Sequence, residues 1–282
     1  MSEQSYLNLA KQILNYGETR TDRTGTGTRS IFGAHLEWDL HDKTVALVTT
    51  KEVAWDKALH ELCWMLRGDT SLEGLGPARN IWEPWADEHG QLGPIYGAQW
   101  RGTTFASSLG EEGAGDGSLR VDQLANVIDL LRQSPDTRKA VLSAWSPRDL
   151  PMMALEPCPV LYQFSRRGAT YGDLELSVYQ RSADMFLGVP FDLFEMSVMA
   201  HLVARELGIR ATRLIWNAGD THIYKNHLPQ MMEQVGRRIS KHVPSLVVKD
   251  RAPALLDPSL ARRHLEIWNY ASLPRLTGKV AV

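Results

Sequence analysis

The chain has 282 residues, 43% of them hydrophobic and 23% charged, an ordinary globular balance with length enough for a sizeable core. Lys and Arg number 31 against 33 Asp and Glu, so no bulk positive field gathers nucleic acid, although a small anion needs only a few local cations. Two cysteines without metal-ligand spacing argue against a disulfide scaffold or a zinc site, and no apolar run is long enough to cross a bilayer. With no basic-then-apolar leader, the expectation is a cytoplasmic protein.

Leu7, Leu9, Ile13 and Leu14 form a helical stripe over Tyr6 to Tyr16, stopped by Gly17. The following loop, Thr21 to Thr28, combines small residues with Arg23, whose guanidinium fork can clamp an anion; a solvated turn has the same composition. Ser30 to Leu40 and Thr44 to Thr50 read as two strands about the turn His41–Lys43. Glu52 to Leu66 has helical apolar spacing and ends at Gly68; Cys63 lies on its apolar stripe, and Glu61 is either a surface carboxylate or a buried acid or base. Between Asn80 and Trp100, three Trp and a Tyr on irregular backbone suit either a stacking wall for a planar ligand or an aromatic core under a long loop.

Residues 101–119, rich in Gly, Ser and Glu, read as a surface insertion within one domain spanning 1–282. A helix over Val121 to Arg132 precedes the cations Arg138 and Lys139 and a strand at Ala140 to Trp145. Leu161–Phe164 and Leu174–Tyr179 form a strand pair, and Leu193 to Leu207, apolar nearly all round, is a buried helix. Asp220, His222 and Tyr224 alternate along an extended segment and share one face. The stretch Leu176 to Asp192 reads as a strand, a polar turn and a helix entrance. Strict two-residue alternation would put Arg181 and Ser182 on opposite faces, so any site they share requires the pattern to break there.

Several pieces together resemble the thymidylate synthase family along essentially the whole chain: Asp22–Thr28, His60-Glu-Leu, Gly93-Pro-Ile-Tyr-Gly, Pro157-Cys158, Tyr179-Gln-Arg-Ser182, Gly188-Val-Pro-Phe191 and Gly219-Asp-Thr-His-Ile-Tyr224. The resemblance implies an α/β (α+β) fold with a large mixed sheet, flanking helices and a single domain. It also implies a homodimer acting on a pyrimidine nucleotide with 5,10-methylenetetrahydrofolate and no metal, nucleic acid or membrane. It assigns Cys158 as nucleophile, with Glu61 and Tyr96 as acid/base partners and Asp192 at the base. Arg23, Gln180, Arg181, Ser182, Ala183, His222 and Tyr224 match nucleotide contacts, and Arg138 and Lys139 match cations given to the partner's site. Ile81, Trp82, Trp85, Leu155, Asp184, Leu187, Phe191 and Val282 match the folate pocket. A cation at Arg181 is expected to lower the Cys158 pKa.

The chain departs from that pattern at several positions. Asp192 stands where the methylating enzymes have Asn. An ionised carboxylate accepts from a cytosine amine and repels the O4 of uracil, so the substrate expectation moves to a cytidylate. Lys139 replaces an Arg, Ala183 a Gly, Ser or Cys, Pro159 a His, and Glu195 a small polar residue. Lys139 and Ala183 resemble the CMP hydroxymethylases of nucleoside-antibiotic biosynthesis. The expected reaction is therefore CMP to 5-hydroxymethyl-CMP: Cys158 adds to C6, C5 takes up the folate methylene and water captures it. A dCMP 5-hydroxymethylase and a dUMP-methylating thymidylate synthase are the alternatives, and a catalytically silent nucleotide- or RNA-binding relative is the non-enzymatic one.

Overall fold

A six-stranded mixed sheet carries the molecule, in the computed structural model that describes residues 3–102, 121–168 and 170–281. Its strands are β1 (Glu18–Arg20), β2 (Thr28–Asp39), β3 (Val141–Ser143), β4 (Pro159–Arg167), β5 (Asp173–Asp184) and β6 (Arg210–Tyr224), in the order β1-β2-β6-β5-β4-β3. All neighbours are antiparallel except β5 and β6, which run parallel. A parallel pair needs a long crossover, and α6 (Gly188–Glu206) supplies it. The other helices are α1 (Glu3–Tyr16), α2 (Trp55–Arg67), α3 (Arg79–Trp82), α4 (Tyr96–Arg101), α5 (Gln123–Gln133) and α7 (Leu228–Gly236). A two-stranded ribbon, β7 (Ser245–Val248) with β8 (Leu265–Trp268), stands apart from the main sheet.

α6 is apolar on most sides because it is enclosed: Leu193, Phe194, Val198, Met199, Leu202 and Val203 are all at most 1% exposed. It packs on α2, β5 and β6. The helix begins five residues before the apolar run expected from Leu193, with Pro190 in its first turn, where a missing N–H costs no ladder bond. Asp192 thus sits inside the helix, as its fifth residue, and not ahead of it. α2 ends where Gly68 takes a left-handed conformation (φ 85°), the expected glycine stop.

The strand expected at Thr44–Thr50 is absent. Val45 to Val48 are buried and apolar, but both sides of β2 are already paired, with β1 and with β6. The segment instead finds scattered partners: Val45 N–H donates to the Pro244 carbonyl and Ala46 N–H to Ser197 Oγ. α1 begins at Glu3, whose carboxylate accepts from Thr49 Oγ1 and Thr50 N–H, both at 2.7 Å. The insertion expected over 101–119 lies, from residue 103 onward, outside the described residues. Among the described residues, no helix is long and apolar enough to cross a membrane.

Candidate active site

Cys158 sits immediately before β4, at the carboxyl end of β5's neighbouring region of the sheet. Its main chain is tied on both sides: its N–H donates to the Tyr96 hydroxyl (2.7 Å) and its carbonyl accepts from Arg181 N–H (2.8 Å). The side chain is partly exposed and the thiol is unpaired. Burial, reinforced by the charge of Asp192, pushes its pKa up to about 11, while Arg181 pulls it down. Arg181 thus pulls in the expected direction, but the expectation of a lowered thiol pKa is corrected, because desolvation outweighs the cation. Its guanidinium is engaged elsewhere, donating to the carbonyls of Pro157 and Glu156 at 2.9 Å and lying 5.6 Å from the Trp145 ring.

Glu61 comes from α2 and is buried. Trp82 Nε1–H donates to its Oε1 at 2.7 Å. Burial raises its pKa to about 7, with the Asp192 charge adding and the Trp82 hydrogen bond opposing. A carboxyl poised there exchanges protons readily in either direction. Trp82 joins an edge-to-face and tilted series of rings, with centroids 6.0 Å to Trp64, 6.1 Å to Tyr96, then 5.9 Å from Tyr96 to Trp100 and 5.4 Å from Trp100 to Tyr162. The aromatic stretch is part core and part open surface. Trp64 and Trp100 are fully buried, whereas Trp85 keeps surface beside Ile81, Leu155, Leu187 and Phe191. That half-exposed apolar set is what a flat, ring-bearing ligand requires.

Asp192 is held by the sheet. Gln180 Nε2–H donates to Asp192 Oδ2 (2.7 Å) and to the Ser182 carbonyl (3.0 Å), while Gln180 Oε1 accepts from Trp216 Nε1–H (2.8 Å). Burial pushes the Asp192 carboxyl up to about 7; Gln180 opposes, and Asp184 adds to the rise. Asp184 ends β5 and accepts from the N–H groups of Phe186 and Leu187, fixing the entry to α6.

The alternation of β5 breaks where a shared Arg181–Ser182 site demands it. Val178 and Gln180 are buried in sequence with the earlier even positions, but Arg181 and Ser182 are both half-buried and Ala183 is fully buried. Ala183 thus belongs to the core. On β6, Asp220 accepts from His222 Nδ1 (2.9 Å), whose ring lies 5.0 Å from Tyr224. The loop carrying Arg23 is braced by Asp22, which accepts from Thr24 and Gly27 N–H, and the Arg23 charge is felt at Tyr224. Arg138 and Lys139 are exposed at the start of β3, on the far edge of the sheet from β1. Val282 lies outside the described residues.

The sequence reading assigned no role to Trp216 or Trp100. Trp216 lies at a buried position of an alternating strand, which signals core and hides the hydrogen bond its indole makes to Gln180. Trp100 was counted only as one ring among several. Among the described residues, no group of acidic, His or Cys side chains could hold a metal ion.

Comparison with known proteins is consistent from end to end. The family model described as "Thymidylate synthase" matches residues 4–282. A curated relative, the thymidylate synthase of Buchnera aphidicola subsp. Baizongia pistaciae (strain Bp), is 40% identical over 279 residues, covering 99% of each chain. This corrects the expectation of CMP or dCMP hydroxymethylation and of an antibiotic-pathway enzyme. The physical reason lies in the protonation state assumed for Asp192. An ionised carboxylate would repel O4, but a carboxyl brought up to about 7 is neutral for much of the time near neutral pH. A neutral carboxyl has one accepting and one donating oxygen, as an Asn amide has one accepting and one donating atom.

Proposed function

The chain belongs to the thymidylate synthase family, whose cosubstrate is 5,10-methylenetetrahydrofolate, and on that premise we propose that it methylates dUMP to dTMP. The observation that carries this reading is the Gln180–Asp192 pair. Gln180 cannot turn its amide round without losing Trp216, so its N–H faces Asp192 Oδ2. That oxygen is the acceptor, and the proton belongs on Oδ1. The neutral carboxyl can then accept from N3–H and donate to O4 of a uracil ring.

Cys158 is the nucleophile that adds to C6 of the ring. Neutral Asp192 removes one of the three carboxylate charges that oppose thiol ionisation, leaving Arg181's pull against burial and the charges of Asp184 and Glu156. The hydroxyl of Tyr96, already accepting from Cys158 N–H, holds the nucleophile's backbone. Glu61, at about 7, takes up or returns the proton at C5 or O4, directly or through one water. Ile81, Trp82, Trp85, Leu155, Leu187, Phe191 and Asp184 would hold the folate, the half-exposed apolar surface of Ile81, Trp85, Leu155, Leu187 and Phe191 fitting its ring system. When bound, the folate supplies the one-carbon unit and the hydride that reduces it to a methyl group.

Arg23, Arg181 and Ser182 take the phosphate, and His222 and Tyr224 the sugar. Arg138 and Lys139 complete the phosphate site of a partner subunit in a homodimer. Exposed apolar side chains on the sheet support that assembly: Leu161 and Tyr179 face each other across β4 and β5, 38% and 42% exposed, and Phe32 on β2 is 83% exposed. Two free cysteines accord with a reducing, cytoplasmic setting.

The test is incubation with dUMP and methylenetetrahydrofolate, followed by the ultraviolet signal of dihydrofolate and mass spectrometry of the nucleotide. Equimolar dTMP and dihydrofolate are expected. Absence of dTMP under conditions where the folate binds would overturn the reading.

A further inference from the structure

Beneath the base end lies a recess of about 10 Å³ lined in part by Trp100, Pro159, Tyr162, Asp192 and Glu195, the scale of a single water. Two of its lining side chains carry buried polar atoms without a partner: Trp100 Nε1, on a residue 1% exposed, and Glu195 Oε1. Trp100 can only donate, and Glu195 Oε1 accepts when bare and donates when protonated, so one water between them satisfies both. Orphaned atoms of this kind are uncommon in folded proteins, and one water in this mostly apolar recess accounts for two at once. Glu195 lies three residues after Asp192 on α6, and residues so spaced are neighbours on one helix face.

Resting on the uracil reading of Asp192, we propose that Glu195 is the proton reservoir of the base end: through one water lodged against Trp100, its carboxyl supplies the proton that Asp192 donates to O4. The transfer is balanced. The O–H proton of Glu195 passes to the water, a water proton passes to Asp192 Oδ1, and the negative charge moves from Asp192 to Glu195. There the indole N–H of Trp100, acting through the same water, faces the new charge.

The surroundings favour a stored proton on Glu195. Its carboxyl is pushed well above the usual range by burial, then by the charges of Glu61 and Asp192. The thiol of Cys63, on the same helix as Glu61, feels the Glu195 charge and is itself raised to about 12 by burial. From β4, Tyr162 feels both Asp192 and Glu195. From α4 and β5, Tyr96 and Asp184 act on or feel Asp192, as does Cys158 ahead of β4. Three carboxyls so close in a poorly solvated site cannot all ionise together near neutral pH. Glu195 shares protons with this set and is a positioning residue that acts through Asp192.

The experiment is the pH profile of kcat/KM for dUMP in the wild type, Glu195→Gln, Asp192→Asn and the double variant. A Gln side chain keeps the hydrogen-bonding shape but cannot release a proton as an acid. The alkaline limb should move at least one pH unit down in Glu195→Gln, lowering kcat/KM about tenfold on the slope, with KM carrying more of the change than kcat. In the Asp192→Asn background, where the amide donates permanently, Glu195→Gln should leave the limb where it is. A uniform loss at every pH, or a limb that still moves in that background, would overturn the proposal. Should Glu195→Gln fail to fold, Glu195→Ser serves in its place. Infrared titration of the protein without substrate separates this from failure of the dUMP reading. A carboxylic-acid C=O band that persists at mildly alkaline pH and is removed by Glu195→Gln supports the reservoir. A band absent from the wild type or surviving in the variant overturns it, whatever the wild type does with dUMP.

Discussion

Gln180 Nε2 stands 2.7 Å from Asp192 Oδ2 and donates to it. This contact decides which oxygen of Asp192 is the acceptor, and therefore which edge of a pyrimidine the site can match. It also lowers the Asp192 pKa against the upward push of burial. Asp192→Ala removes both the acceptor and the donor. The loss in kcat/KM for dUMP should be about 5- to 160-fold, from about 1–3 kcal/mol for buried groups left unpaired. Steady-state kinetics of the variant check it.

Cys158→Ala should abolish turnover, by on the order of 10⁴-fold or more for loss of a covalent nucleophile. Nucleotide affinity, read by calorimetry with dUMP, should persist, since Arg23, Arg181 and Ser182 stay in place. Residual turnover within tenfold of the wild type would remove Cys158 from the chemistry.

Glu61→Gln should cost about 10²–10⁴-fold in kcat, the usual scale of general acid–base catalysis. Because Glu61 titrates at about 7, activity that needs its base form rises through neutral pH, while activity that needs neutral Asp192 falls with rising pH. The wild-type profile is therefore a bell, and its apparent pKa values belong to the coupled carboxyls together. In Glu61→Gln the acid limb should disappear and the alkaline limb remain.

The raised carboxyls also set the pH dependence of stability. Glu61 has an ordinary carboxyl pKa of 4.5 when unfolded and sits at about 7 in the folded protein, so between those values the folded state holds a proton that the unfolded state has lost. Its stabilising effect on the fold is greatest below the unfolded pKa and is lost as pH rises to the folded one, the reverse of a salt-bridged carboxylate. The change is about 3 kcal/mol for this group. Urea denaturation should show stability falling from pH 5 to pH 8, and Glu61→Gln should flatten that slope.

Mixing two inactive chains, Cys158→Ala and Arg138→Ala, should restore part of the dUMP methylation. In a homodimer with shared sites, some mixed pairs carry one intact nucleophile and one intact donated cation at the same site. No recovery after dissociation and reassociation would confine Arg138 to its own chain.

Much of this site was legible in the residues. The apolar spacing of α2 placed Glu61 on a mostly buried helix, and the two-residue alternation placed Asp220, His222 and Tyr224 together. The break expected at Arg181–Ser182 is present in the burial of β5. What could not be read were facts of tertiary pairing. Thr44–Thr50 has strand composition, but β2 is already paired on both sides. Arg181 carries the right charge for the thiol, but its guanidinium turns toward Glu156 and Pro157. Asp192 was read as ionised because side-chain type alone says nothing of desolvation, and desolvation changes its hydrogen-bonding character.

The indole of Trp216 has a consequence at a distance. Trp216 is fully buried in β6, and its nitrogen has no way to accept a hydrogen bond. Gln180 must therefore offer it the carbonyl oxygen, and the amide end is left facing Asp192. Trp216→Phe would free the amide to rotate half a turn and present an acceptor to an acceptor, a clash that only a proton on Oδ2 relieves. The orientation of the Gln180 amide, and with it the accepting oxygen of Asp192, is thus written into the protein by a residue in the middle of the sheet.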